Sequence, residues 1–402
     1  MKILFVTGNY LPGKNGGIEN YTGWLASLLL KHNFEVEVAA LNLGETENYI
    51  HDSVFVNNLK KSFPAFETLL KRGNFDICHF QEYSENGIGI PWFKKAKEYC
   101  SKVFFTFHLP YLTCYKLDFR YKGIHDCNTF SDLARCTACV ITEKTGYKNH
   151  RSEMIVNSVE GLMKITGLKN KLEKRILLKH HQLNELIASC DQIFTYAGWF
   201  KKILAENGYN DSSIKKIPYK TKTEIGINRH YVSNKAATNK ILFVGRIQQQ
   251  KGLLLLCKAM NEVAIKNIQL DVYGDIVDET YYHQCLKDHF FNFKGTTSHI
   301  QLLEVLHQYD FLVLPSVFTE MHSMIIKDAF YEKLPVIAST AKGNMDAIQD
   351  GVNGFLFEYD NAKDLTSTIN KAYNLKKKGW KPVFTYPENP EEDTKEIISY
   401  YC

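Results

Sequence analysis

The stretch KILFVGRIQQQKGLLLLCKAMNEV, residues 240–263, decides the fold, because it repeats the layout of KILFVTG, residues 2–8. In both places a short apolar run enters a glycine-bearing loop and is followed by an apolar segment of helical period. Short apolar runs of this kind read as strands buried on both faces, as in parallel sheets covered by crossover helices. A layout that begins at residue 2 and restarts at residue 240 predicts two domains, which also suits a length of 402 residues.

Working outward, GGIENYTGWLASLLLKHN (16–33) predicts a helix with Trp24, Leu25, Leu28 and Leu29 on one face. EVEVAAL (35–41), DICHF (76–80), KVFFTFH (102–108) and QIFTYA (192–197) continue the strand series of the first half. In the second half IQLDVYG (268–274), FNFKG (291–295), FLVLPS (311–316) and LPVIAS (334–339) do the same. The polar stretch YKTKTEIGINRHYVSNKAATN (219–239) reads as the connection. The expected architecture is α/β: two Rossmann-like, doubly wound parallel-sheet domains facing across a cleft, with ligands at the carboxyl ends of the strands. The expected boundaries are 1–220 with a cysteine-rich insertion at 109–150, a linker at 221–239, a second domain at 240–380, and a tail at 381–402 packing back on the first.

With 45% hydrophobic and 23% charged residues, the composition excludes disordered and fibrous classes. No window approaches eighteen apolar residues, and the apolar run near residue 2 is too short for a signal-peptide core. Ten scattered cysteines then predict a reducing cytoplasm. The net charge of +5 is uneven: residues 1–235 carry 32 Lys and Arg against 23 Asp and Glu, and the remainder 17 against 21. A basic first half suggests an anionic partner, whether lipid headgroups, a phosphorylated acceptor or nucleic acid. The segment 159–190, with Lys164, Lys169, Lys171, Lys174, Arg175 and Lys179 among apolar positions, reads as a helix. It either packs its apolar side on its own domain or rests on an anionic membrane surface.

None of the glycine loops matches the G-x-G-x-x-G fingerprint, so hydride chemistry loses support. Gly16 and Gly17 stand where a helix begins and would let a ligand phosphate approach backbone N–H groups, or serve only a tight turn. Arg246 and Lys251 leave the end of a strand five residues apart, a guanidinium fork and an ammonium suited to one diphosphate. FTEMHSMIIKDAFYEKLPVIAS (318–339) places Glu320 at the mouth of a helix whose first N–H groups, at His322, Ser323 and Met324, face a phosphate. Asp328 follows about 9 Å along the helix and can accept hydrogen bonds from ribose hydroxyls. His108 closes the strand VFFTF, while His79 ends another strand and is expected to be structural.

Taken together, the run Gly245–Lys251, the acids at 320 and 328, LPVIAS, GVNGFLF (351–357), the amino-terminal GGIE and His108 resemble the retaining GT-B glycosyltransferases of family 4. The resemblance covers nearly the whole chain. It implies transfer of a sugar from a nucleotide-diphosphate donor, UDP- or GDP-linked, without a metal ion in catalysis. By resemblance Arg246 and Lys251 bind the diphosphate, Glu320 lies near the donor sugar and phosphates, and Asp328 holds the ribose. His108 then lies near the donor sugar and acceptor. A glycan or lipid-linked glycan acceptor is implied, in surface polysaccharide or glycoconjugate synthesis, with no nucleic acid. The chain departs from the pattern where Asp328 replaces the usual glutamate, where EMHSM replaces a glycine-containing step, and where Asp346 replaces a second glutamate. These departures keep open a weakly catalytic sugar-nucleotide-binding partner subunit; a nucleotide-sugar epimerase shares the architecture.

Between His108 and Arg151, Cys114, Cys127, Cys136 and Cys139 fall within 26 residues. The C-x-x-C pair offers one face of a tetrahedral zinc site that the upstream thiols complete. A disulfide, an iron–sulfur remnant and plain thiols are the competing readings.

Overall fold

The computed structural model describes residues 1–13, 16–44, 46–123, 125–144, 168–209, 212–218, 238–384 and 390–402. The chain forms two compact units, Met1–Glu224 joined by Asn389–Cys402, and Ile225–Glu388. Most of the expected linker, residues 219–237, and Lys164 lie outside the described residues.

The first unit contains strands β1 (Lys2–Thr7), β2 (Glu35–Ala40), β3 (Tyr49–His51), β4 (Val54–Asn58), β5 (Ile77–Phe80) and β6 (Lys102–Phe107). It continues with β7 (Arg120–Tyr121), β8 (His125–Asp126), β9 (Gln192–Thr195) and β10 (Ile214–Lys216). Eight of these form one sheet in the order β10-β9-β6-β5-β1-β2-β4-β3, parallel apart from β3, which runs antiparallel to β4. The second unit contains β11 (Lys240–Val244), β12 (Gln269–Tyr273), β13 (Asn292–Gly295), β14 (Phe311–Leu314), β15 (Val336–Ser339) and β16 (Gly354–Phe357). They form an all-parallel sheet in the order β13-β12-β11-β14-β15-β16.

The apolar runs are strands because both faces of each sheet are covered. Ile3, Leu4, Phe5 and Val6 of β1 are all fully buried. In the second unit the period of two sorts the side chains into two cores. Ile241, Phe243, Val272, Phe311, Val313, Ile337 and Phe355 pack on one face. Leu242, Leu312, Leu314, Val336 and Ala338 pack on the other, against helices His299–Leu306 and Met324–Tyr331. Full burial of a Phe or Leu side chain contributes about 1.5–3 kcal/mol, so a one-residue slip of register would be costly.

In each sheet the strand order reverses once, between β1 and β5 and between β11 and β14. Loops leaving the carboxyl ends of strands at such a reversal diverge and leave room for a ligand. The segments carrying Arg246 and Lys251, and Ser316 and Glu320, leave the carboxyl ends of β11 and β14.

The helix Leu168–Ser189 buries Leu172, Ile176, Leu183 and Leu186 and leaves Lys171, Lys174 and Arg175 exposed. These four side chains are spent on its own unit while Leu177 and Leu178 stay half exposed, and no described helix is long and apolar enough to cross a membrane. The tail returns later than residue 381, because Phe384 still packs in the second unit and Val383 N–H donates to Val352 O at 2.9 Å. From Asn389 the chain rejoins the first unit, where Tyr401 is buried. The Tyr401 hydroxyl lies 2.7 Å from His79 Nδ1, and Thr106 Oγ1 is 2.8 Å from His79 Nε2. Sealed in this way, with burial holding its pKa well below the ordinary value, His79 is a neutral core residue.

Candidate functional site

The second-unit site is assembled by backbone approach. The short turn Gln249–Lys251 stops at Gly252, whose φ is +73° and whose hypothetical Cβ would lie 1.8 Å from Pro315 O. Only glycine fits both the left-handed conformation and the contact. Beside it Val317 N–H donates to Gln250 O at 2.9 Å, so the loops after β11 and β14 are fastened together. Ser339 Oγ donates to Ser316 O at 2.7 Å, and the Tyr359 hydroxyl donates to Val317 O, which fixes the second loop from β15 onward.

The consequence is an ion pair. Lys251 Nζ lies 2.7 Å from Glu320 Oε1, and Ser316 Oγ donates to the same oxygen at 3.0 Å. The side chains retain 25% and 20% exposure, a regime in which an ion pair contributes about 1 kcal/mol or less. The pair thus orients the ammonium more than it stabilises the fold. Arg246 is exposed one residue after Gly245, with no hydrogen bond or ion pair to another described residue.

The helix after Glu320 runs from Met324 to Tyr331 with Ser323 at its N-cap, one or two residues later than the sequence implies. Met321 and Ser323 are buried, so the EMHSM step is packed inward. Asp328 is engaged by a residue that sequence reading did not single out: His299 Nε2 lies 2.8 Å from Asp328 Oδ2. His299 opens a helix held by a capping box between Ser298 and Gln301. The structure therefore joins Lys251 with Glu320 and Asp328 with His299, as two separate pairs.

The Asp328 carboxylate raises the His299 pKa above its ordinary 6.5, chiefly through this hydrogen bond. Because the folded pKa is the higher one, the stability it contributes is full below the unfolded value and is lost as pH rises through the folded one. The expected result is that His299→Gln lowers Tm more at about pH 6 than at about pH 8. Paired thermal melts at the two pH values check this; equal shifts would remove protonated His299 as the cause.

In the first unit His108 follows β6 and is 5% exposed. Gln81 Oε1 lies 2.9 Å from its Nε2 and the Tyr196 hydroxyl 2.6 Å from its Nδ1. With the proton on Nε2, the imidazole donates to Gln81 and accepts from Tyr196. Burial pushes its pKa down to about 3, so His108 is neutral at working pH and acts by hydrogen bonding. Gly17 opens the helix Gly17–Lys31 with Gly16 at the N-cap, yet a Cβ on Gly16 would meet Glu19 Oε2 at 2.5 Å. The Glu19 carboxylate therefore covers the helix end where a phosphate was expected, and like charges oppose one. A phosphate at Gly16 and Gly17 would first have to displace this carboxylate.

Cys114, Cys127, Cys136 and Cys139 line one small cavity. As placed, no group of three or more His, Cys, Asp or Glu side chains among the described residues is disposed to hold a metal ion.

Ser316, His299, Gln81 and Tyr196 are the partners sequence reading missed. Ser316 and Gln81 were within reach of it, since each stands at the end of a strand that the apolar runs had marked. His299 carries no such signal, lying 29 residues from Asp328 on another helix.

Residues 238–374 match the family described as glycosyl transferases group 1. An uncharacterized glycosyltransferase of Methanocaldococcus jannaschii is 29% identical over 247 residues, 58% of this chain and 62% of the relative, so the match spans less than two thirds of that relative's length. Sucrose-phosphate synthase from Thermosynechococcus elongatus superposes with a TM-score of 0.63 at 15% identity, covering 100% of this chain and 98% of the other. Anabaena HepE, solved in complex with UDP and glucose, gives 0.61 at 12% identity, covering 100% and 99%. The structural likenesses establish the GT-B fold, and with the family match they support a GT-B glycosyltransferase.

Proposed function

We propose that the chain is a retaining, family 4-type glycosyltransferase that moves a sugar from a nucleotide-diphosphate donor to a glycan or lipid-linked glycan acceptor. The observation that carries this reading is the Lys251–Glu320 pair, fastened at the carboxyl ends of two strands where the sheet order reverses. It lies inside the segment that matches the glycosyl transferases group 1 family.

In this reading Lys251 leaves Glu320 for the donor diphosphate and Arg246 supplies the second cation. The bond from the anomeric carbon to the diphosphate oxygen breaks as the acceptor oxygen bonds to the same carbon on the same face. The acceptor proton passes to the departing diphosphate. Cations fixed in advance at the leaving oxygen are the main source of acceleration, because they need no reorganisation as charge develops. The N–H groups of His322, Ser323 and Met324 add donors at the helix start. Asp328 holds the ribose once it turns from His299, and neutral His108, whose one N–H is given to Gln81, acts by fixing Gln81 and Tyr196 in place. Glycan elongation in surface polysaccharide synthesis suits the basic first half, which favours a phosphorylated or lipid-linked acceptor.

The binding of UDP and glucose by HepE makes UDP-sugars the first donors to test. A thermal-shift panel of UDP, GDP and ADP with their sugars tests the reading. A ligand at 100 times its Kd stabilises by about 2.7 kcal/mol. For a unit of this size that is a rise of roughly 5–10 °C. No shift with any nucleoside diphosphate would overturn the proposal. A second reading, a sugar-nucleotide binder without turnover, is favoured by the His299 grip on Asp328. Binding without release of nucleoside diphosphate from any donor would select it.

A further inference from the structure

We propose that Cys114, Cys127, Cys136 and Cys139 bind one structural Zn²⁺ that fastens the segment following His108. The inference stands apart from the glycosyltransferase reading, since neither the sugar donor nor the second unit enters it.

The four sulfurs reach one place from three separate pieces of chain. Cys114 opens a turn closed by Leu117 N–H donating to Cys114 O at 3.0 Å. Cys127 directly follows the β7–β8 hairpin, and Cys136 and Cys139 share one face of the helix Leu133–Lys144. All four line a cavity of about 20 Å³, room for a single ion or water. Each is a free thiol.

A backbone donor already serves one of the sulfurs. Lys122 N–H donates to Cys139 Sγ at 3.2 Å. A protonated thiol is a weak acceptor, whereas a metal-bound thiolate uses such a donor to spread its charge. The remaining contacts are those of protonated sulfur: Cys127 donates to Thr129 O at 3.2 Å, Cys136 to Phe130 O at 3.7 Å and Cys139 to Arg120 O at 3.6 Å. These contacts turn the thiols toward carbonyls, which is why no ligating group of three is formed as placed. Loss of the protons on metal binding abolishes these contacts and frees the sulfurs to face the cavity that all four line.

Charge points the same way. Zn²⁺ with four thiolates carries two net negative charges, and Lys116, Arg120 and Arg135 line the same cavity. A divalent cation that binds here displaces the thiol protons to solvent. The hairpin strands are two residues each; Phe119 and Phe130 anchor their flanks in the unit, while Arg120–Tyr121 and His125–Asp126 themselves contribute no buried apolar side chain. A two-stranded hairpin is marginal without support, and a closed tetrahedral zinc site supplies it.

The test is metal analysis of the full chain purified without chelator, paired with thiol titration of the native protein. The expected result is close to one zinc per chain, with four thiols becoming reactive only after chelation. Cobalt exchange is expected to give the visible absorption of tetrahedral cobalt thiolate. In Cys136→Ser and Cys139→Ser the zinc content falls at least severalfold. Iron in place of zinc, a disulfide among the four, or metal-free protein whose thiols react at once would each overturn the proposal, and these readings need no variant to fold.

Discussion

Lys251→Ala is expected to lower kcat by about 10²–10³-fold, the loss seen when one pre-placed donor to a developing negative charge is removed. The protein remains folded, because a pair with 25% and 20% exposed side chains contributes about 1 kcal/mol or less. Steady-state release of nucleoside diphosphate, read beside a thermal melt, checks both halves. Lys251→Arg is the informative companion: it keeps the charge but changes a compact ammonium into a wide fork. Partial recovery in it would mark charge at that point as the working quantity. Activity of Lys251→Ala within a fewfold of the parent would contradict the assignment.

Gly252→Ala is expected to damage folding and site together. The left-handed conformation costs a non-glycine residue about 1–2 kcal/mol. The Cβ would also fall 1.8 Å from Pro315 O, a backbone atom that cannot step aside. The total is expected at about 3 kcal/mol or more, since both mechanisms act at once. Gly351→Ala separates them: its φ is +77° with nothing within 4 Å of the Cβ position, so it carries the conformational cost alone. Denaturant unfolding of both variants is the measurement. Equal losses would show that the loop after β14 yields, and that the fastening between the two loops is weaker than described.

The fold was legible where strands are buried on both faces, because continuous apolar runs such as Ile241–Phe243 have no other good location. β3 and β4 were missed for the opposite reason. β4 buries Val54 and Val56 but exposes Phe55, and a short alternating stretch near polar residues looks like loop. Within the site, Lys251 and Glu320 were found because each follows a recognisable strand. Their hydrogen bond, and the competing one between His299 and Asp328, depend on side-chain reach across separate loops, which spacing does not encode. Glu19 shows the same limit: the glycines at a helix start were visible, but not the carboxylate three residues on that folds over them.

The position of Tyr401 beside His79 has a consequence for biosynthesis. A ribosome that has delivered residue 224 has finished every strand of the first sheet but has not supplied the ring that closes its interior. The first unit is therefore completed only after the second has emerged, and until then His79 Nδ1 lacks the Tyr401 hydroxyl as its partner.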